Sequence, residues 1–308
     1  MAEPIDSVIL VSFGGPEGPD DVVPFLENVL RNVPGAAGKI SEIAPHYMHF
    51  GGRSPINEHA FAQARELEAA LREDGLDVPV RVGNRHWKPF AAEALRELVD
   101  GGARRTAGVV MAAQRSGAAS YDKYVKAVED ARAALGERAP EVVYTESFHA
   151  HPGFIDAVAD RIGEADPGFR ATRAGDGVLL FTAHSIPTAS AKATPYVSQL
   201  EESCEAVAAR VRPRRWRLVY QSRSGRPSDP WLEPDVCDAL ADEKRRGTRI
   251  AVVAPIGFLS DHMEVLYDLD VEAADAAQRL DLRLIRARTV LDHPRFIRAL
   301  ADAVRALQ

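Results

Sequence analysis

The sequence predicts an α/β fold of two doubly wound lobes, each built on a parallel sheet, with a cleft between them. Three observations lead there. The chain has 308 residues, which at ~150 residues per domain is room for about two. Short apolar runs recur along it, continuous rather than alternating, as in strands covered on both faces. Amphipathic helical patterns separate those runs, and repeated strand–helix alternation builds parallel sheets flanked by helices.

The first strand is Val8–Phe13. It is too short for a membrane span, and no basic residue precedes it as in a signal peptide, so it is expected to be a buried strand of a cytosolic protein. Val78–Val82, Ala107–Ala112 and Glu141–Thr145 complete one group of strands. Val178–Thr182, Leu218–Gln221, Arg249–Ile256 and Leu282–Ala287 form a second. Between them, His59–Glu73, Ala91–Asp100, Tyr121–Leu135, Phe154–Glu164, Pro195–Val211 and Pro294–Leu307 place Ala and Leu at helical spacing with charges opposite. The break falls near His149–Gly153. Residues 1–150 are expected as an N-terminal lobe and 151–289 as a C-terminal lobe, with 290–308 packing back on the first.

Composition narrows the function. Hydrophobic residues are 46% and charged residues 27%, the balance of a soluble globular chain and not of a disordered one. Lys and Arg number 38 against 45 Asp and Glu, a net charge of −7, which argues against nucleic acid as the partner. The two cysteines, Cys204 and Cys237, lie outside any C-x-x-C pattern. Neither a disulfide framework nor a cysteine-held zinc or iron–sulfur cluster is expected.

Several motifs fall at strand ends, where doubly wound folds bind ligands. Ser12-Phe13-Gly14-Gly15-Pro16-Glu17-Gly18 reads as a tight turn or a ligand contact; its spacing is not that of a dinucleotide fingerprint. In Phe181-Thr182-Ala183-His184-Ser185-Ile186-Pro187 an imidazole follows a strand, and Ile186 before Pro187 keeps the loop extended. His184 is either a structural histidine or a proton acceptor or metal ligand. In Pro255–Glu272, Ser260 is the expected cap of the next helix. Glu264, Asp268 and Glu272 recur at i, i+4 and i+8, an acidic stripe about 12 Å long at 1.5 Å per residue. Like charges at that spacing cost a few tenths of a kcal/mol each, so the stripe faces either water or a cation. Carboxylates beside an imidazole suit a divalent transition metal with open positions. Gly51–Asn57 reads as a turn into a helix, with Ser54 as cap and Pro55 as first helical residue. Gly83–Pro89 clusters cationic and aromatic groups, and Trp231 is a core anchor or the floor of a flat pocket. No G-x-S-x-G elbow and no H-E-x-x-H occurs.

Together these segments resemble one family. GGRSPIN (51–57), HPGFIDAVADRI (151–162), FTAHSIP (181–187), YQS (220–222) with DPWLEP (229–234), and PIGFLSDHMEVLYDLDVE (255–272) are similar, in order and over most of the chain, to the ferrochelatases.

The resemblance implies two Rossmann-like lobes, chelatase-like, holding a porphyrin into which ferrous iron is inserted in haem biosynthesis. His184 and Glu264 match the catalytic pair. Asp268 and Glu272 match the acidic line that serves the metal. Phe13, Ser54, Tyr124 and Trp231 would lie near the macrocycle, and Arg31, Arg53, Arg85 and Arg115 are candidate partners for its propionates. Phe13 stands where some members carry tyrosine, and Ala113–Gly117 departs from the usual pattern. Without C-terminal cysteines or a hydrophobic lip, the chain looks like the short soluble bacterial type. The expected partners are Fe2+ and coproporphyrin III or protoporphyrin IX, with no prosthetic group and a monomeric state. A cobalt or nickel tetrapyrrole chelatase and a non-catalytic porphyrin binder remain as rival readings.

Overall fold

The computed structural model describes residues 3–31, 33, 35–224 and 228–308. The chain divides into two compact units. The first comprises Met1–Met111, Lys123–Glu146 and Leu300–Gln308; the second comprises Ala112–Asp122 and Ser147–Ala299.

In the first unit, β1 (Ser7–Ser12), β2 (Val80–Asn84), β3 (Arg105–Val110) and β4 (Glu141–Tyr144) form one parallel sheet in the order β2-β1-β3-β4. β1 is buried along its whole length, with Leu10 in register between Val82 and Val109. That explains its unbroken hydrophobic run: helices cover both faces of a parallel sheet, so no residue alternates to water.

The second unit repeats the wiring. β5 (Gly177–His184), β6 (Trp216–Gln221), β7 (Ile250–Ala254) and β8 (Arg283–Arg286) form a parallel sheet in the order β6-β5-β7-β8. Its core joins Val178, Leu180, Val219, Leu240, Val253, Val265 and Leu269. On the other side, Phe148, Phe154 and Phe296 meet with ring centroids 5.9–6.2 Å apart. Seven residues of β5 are buried and only the last, His184, reaches the surface.

Helices Ala91–Asp100 and Tyr121–Leu135 have the predicted bounds, and the other predicted helices shift by one to three residues. Helices at Val22–Val29, Ala36–His49 and Val236–Arg245 were not anticipated. Ala36–His49 carries Pro45 inside it, which reads as a helix breaker, and its apolar face of Ile40, Ile43, Ala44 and Tyr47 is only partly buried. One cap differs as well. The helix Ile56–Glu73 starts after Pro55, without a side-chain cap. Ser54 is buried and its N–H donates to the Pro16 carbonyl at 2.9 Å, locking the loop after β1 instead.

Candidate functional site

From β5 the chain passes to β6 on one side and returns to β7 on the other. Strand ends at such a reversal diverge and leave room for a ligand. His184 ends β5, and the loop after β7 leads to Glu264. The loop approaches closely because of Gly257. Its N–H donates to the Thr182 carbonyl at 3.0 Å, and a Cβ on it would stand 2.6 Å from the Ala183 side chain.

His184 Nε2 lies 3.4 Å from Glu264 Oε1, with the two side chains 34% and 43% exposed. Nδ1 donates to the Ser185 carbonyl, which can only accept, so the ring is oriented with Nε2 toward the carboxylate. Below, the buried Tyr196 hydroxyl donates to the His184 carbonyl at 3.0 Å. The Pro230–Leu232 segment is zipped onto the His184 loop. Thr188 N–H donates to the Pro230 carbonyl and Leu232 N–H to the Ile186 carbonyl. Pro187 pairs with Trp231, and Ser185 Oγ donates to the Leu232 carbonyl at 2.8 Å. Trp231 is thus half-buried beside the imidazole's loop.

Glu264 starts a helix that changes pitch. Met263–Val265 is α-helical, Leu266–Glu272 winds as a π-helix, and Ala273–Arg279 is α-helical again. Ala273 N–H donates to the Asp268 carbonyl, five residues back. Ser260 is not the cap; His262 precedes the first helical residue, and its N–H donates to the Ser260 carbonyl at 2.9 Å.

Five acids in this stretch divide by partner. Arg286, at the end of β8, holds Asp270 through Nε at 2.8 Å and Nη2 at 2.7 Å, and holds Asp261 at 2.9 Å. Those two carboxylates anchor the segment. Glu264 and Asp268 face the imidazole, and the exposed Glu272 follows one turn further out. Asp268 accepts from Gln221 Nε2 at 3.1 Å and from the Ser222 hydroxyl. Sequence reasoning gave Gln221 and Ser222 no role. Their signal was position: Gln221 pairs in register with His184 at the end of β6. Ser222 adopts a left-handed φ of 62°, which turns its hydroxyl back onto Asp268.

The charges are poised. Burial disfavours the imidazolium, but Glu264, the Ser185 carbonyl and Asp268 outweigh it and hold His184 up at about 9. Burial would raise Glu264 too; His184, His262 and Ser222 keep it below the usual carboxylate range. Asp268 moves the other way, pushed up to about 7 by burial and by the Glu264 charge, against its hydrogen bonds from Ser222 and Gln221. At neutral pH the pair therefore stores a proton, and Asp268 is half-way to taking or losing one. Among the described residues no three His, Cys, Asp or Glu side chains are grouped so as to enclose a metal ion. Nor is any helix among them long and apolar enough to cross a membrane.

The remaining candidates sit on the carboxyl edge of the sheet in the first unit, or on loops of the second. Phe13 packs on His86 with centroids 4.6 Å apart and on Phe25 at 6.2 Å. Tyr124 is buried under Arg85, whose Cζ is 5.9 Å from the ring centroid. Arg31 is exposed and donates to Asn28 Oδ1 at 2.6 Å. Arg53 is exposed and pairs with Glu58 at 3.4 Å. In the second unit Arg115 stacks on Tyr121 at 5.1 Å, and its N–H donates to Gln199 Oε1 at 2.7 Å. Gln114 is buried, and its amide nitrogen lies 3.4 Å from Ser203 Oγ.

Known proteins resemble the chain in both fold and sequence. Over 98% of it, and 95% of the other, the structure matches SirB from Bacillus subtilis with Fe3+, at a TM-score of 0.59 and 14% identity. The sirohydrochlorin chelatase SirB in complex with cobalt matches at 0.58 and 14%. At such identity the likeness is one of fold. In sequence, the chain is 46% identical to a ferrochelatase of Rhodopirellula baltica, over 98% of this chain and 86% of that one. It is 42% identical to coproporphyrin III ferrochelatases of Streptomyces coelicolor and Mycobacteroides abscessus, over 98% and 97% of this chain and 85% and 87% of theirs. The family model for ferrochelatase matches residues 6–307, so the chain belongs to the ferrochelatase family.

Proposed function

We propose that this protein inserts Fe2+ into coproporphyrin III with release of two protons, a step of haem biosynthesis carried out by a monomer in the cytosol. The observation that carries the reading is the 3.4 Å approach of His184 Nε2 to Glu264 Oε1. Two of the relatives, at 42% identity, are coproporphyrin III ferrochelatases, which supports that substrate over protoporphyrin IX.

Metallation exchanges two pyrrole N–H protons for one dication. It needs a proton acceptor that is neutral when the ring arrives. The resting pair is protonated, since Glu264 holds His184 up at about 9. An incoming dication adds positive charge beside the imidazolium and lowers its pKa. The stored proton then leaves, and Asp268, at about 7, is matched to pass it outward. Nε2 is left free to accept one pyrrole proton while Glu264 steadies the new imidazolium; that proton leaves by the same carboxylate, and Nε2 then accepts the second. Asp268 and Glu272 give the hydrated cation successive carboxylates on one helix face. Trp231, beside the imidazole's loop in the same unit, offers a flat surface to the macrocycle.

The test is anaerobic turnover. The protein is mixed with Fe2+ and either coproporphyrin III or protoporphyrin IX, and the Soret band is followed. Many equivalents of metalloporphyrin per protein, faster with coproporphyrin III, are expected. Stoichiometric binding without turnover would overturn the reading.

A further inference from the structure

The second unit presents a row of arginines where its sheet begins. Arg214 and Arg215 lead into β6, Arg249 leads into β7, and Arg283 opens β8. The strand entries are hydrogen-bonded side by side. Leu179 N–H donates to the Arg215 carbonyl at 3.0 Å, and Arg283 N–H donates to the Arg249 carbonyl at 2.9 Å. β6 and β8 are the outer strands, so the row spans about 14 Å at the usual spacing between strands. Arg170 and Arg212 extend it. The short helix Arg170–Arg173 lies against Gly177, where a Cβ would collide with the Ala171 carbonyl, and Arg214 N–H donates to the Thr172 carbonyl at 3.0 Å. Arg212 caps the helix Tyr196–Val211, just ahead of Arg214.

Arg170, Arg212, Arg214, Arg249 and Arg283 are exposed, and among the described residues none of these five guanidinium groups is paired with a carboxylate. The acids nearby are already engaged. Buried Glu243 lies among Arg215, Arg217 and Arg246; Asp242 pairs with Arg217 and Arg245, and Asp281 pairs with Lys244. Asp176, at the head of β5, adds one negative charge to the row, and its carbonyl accepts the Arg249 N–H at 2.9 Å. A cation at a helix C-terminus is favoured by the helix dipole, which accounts for Arg212, Lys244 and Arg245. It does not account for Arg214, Arg249 and Arg283, which lie at strand entries, nor for Arg170, which begins a helix. Unpaired cations gathered on one edge of a chain of net charge −7 repel one another, an arrangement that folding alone does not favour.

We infer that this edge docks on the anionic phospholipid surface of a membrane. Guanidinium forks fit phosphate oxygens in pairs, and a plane of headgroups offers phosphates to the whole row at once. Among the described residues the exposed large apolar side chains are Val23, Met48 and Phe61, all in the first unit. The row therefore has no apolar wedge to insert into lipid and no exposed aromatic to stack on nucleic-acid bases. Contact is with headgroups alone, reversible and sensitive to salt. The chain's overall negative charge does not prevent docking. Surface charges are screened over ~8 Å at physiological ionic strength, and the acids of the site lie beyond the far end of β5, about 25 Å away. Docked this way, the second unit carries His184 on the side away from the bilayer. The docking edge is independent of the proposed reaction.

The experiment sediments the full chain with vesicles of phosphatidylcholine alone, and with vesicles in which about one lipid in three is phosphatidylglycerol. Binding to the anionic vesicles only is expected, and it should be lost as salt rises from about 0.05 to 0.5 M. The triple variant Arg214→Gln, Arg249→Gln, Arg283→Gln should partition about tenfold less or weaker still, with the melting temperature of the wild type. The triple variant Arg214→Lys, Arg249→Lys, Arg283→Lys keeps the charge and should keep most of the binding. Equal binding to both vesicle types, or wild-type partitioning by the glutamine variant, overturns the docking edge. So does a preference for short duplex DNA over anionic vesicles in direct competition, which would assign the row to nucleic acid instead.

Discussion

Gly257 lies so close to Ala183 that a Cβ on it would stand 2.6 Å from that side chain and 2.8 Å from its Cα. The loop that delivers Glu264 is therefore laid directly on the strand that delivers His184, and the separation of the pair is set by backbone packing. Gly257→Ala should push the loop outward. The expected cost is about 1–3 kcal/mol in stability, the usual range for overpacking, with iron insertion slowed at least tenfold. Denaturant melts and initial rates measure both. Wild-type rates in a normally folded variant would show that the contact does not position the pair.

His184→Ala should abolish insertion while leaving porphyrin binding intact. The loss expected from removing a positioned proton acceptor is about 10²–10⁴-fold. Soret titration without metal checks binding, and anaerobic turnover checks chemistry. Near-normal turnover would remove His184 from the reaction.

The pH dependence follows from the pair. His184 is raised from 6.5 to about 9, so its contribution to stability is full below pH 6.5 and is lost as pH rises through about 9. Its readiness to accept a proton has the opposite sign and grows over the same window. Insertion by the wild type should speed up toward pH 9. Glu264→Gln removes the charge that raises the imidazole, and the inflection should move down by at least one pH unit. A profile with an unmoved inflection would mean that another group governs it.

Asp268 gives a second signature. Its folded value is raised from 3.8 to about 7 by burial and by Glu264, so its contribution to stability is full below pH 3.8 and is lost as pH rises through about 7. Asp268→Asn cannot ionise. It should melt higher than wild type at pH 8, by about 1–3 °C, with the gap closing toward pH 5, while insertion slows. A gap that is equal at both pH values would assign the effect to packing.

Glu272 is the exposed end of the acidic line. Glu272→Gln should raise KM for Fe2+ several-fold and leave KM for the porphyrin unchanged, since it acts on the cation alone. Steady-state kinetics with each substrate varied in turn separates the two. Movement of the porphyrin KM instead would sink the cation path.

Much of this was legible in the sequence, and the rest was not for physical reasons. β5 could be read because a strand covered on both faces leaves an unbroken apolar run, and His184 stood out as the residue that ends it. The partition of the acids could not. Asp261 and Asp270 are neutralised by Arg286, which arrives from another strand, and nothing local distinguishes them from Glu264 and Asp268. Ser222 was hidden because its left-handed backbone has no signature in a residue other than glycine. The π-helical pitch was hidden too, since it changes the backbone bonding and not the composition. Ser54 and Ser260 carry the residue type that caps helices, yet the chain enters each helix one or two residues later.

The identical strand order of the two sheets separates scaffold from chemistry. One wiring diagram is used twice, and only the second copy ends its leading strand in an imidazole; at the equivalent place the first copy ends in Ser12. What makes the protein a catalyst is thus confined to a few loop and strand-end positions on a frame indifferent to them. Altered metal preference should be reachable by exchanging those tips, with no redesign of the interior that supports them.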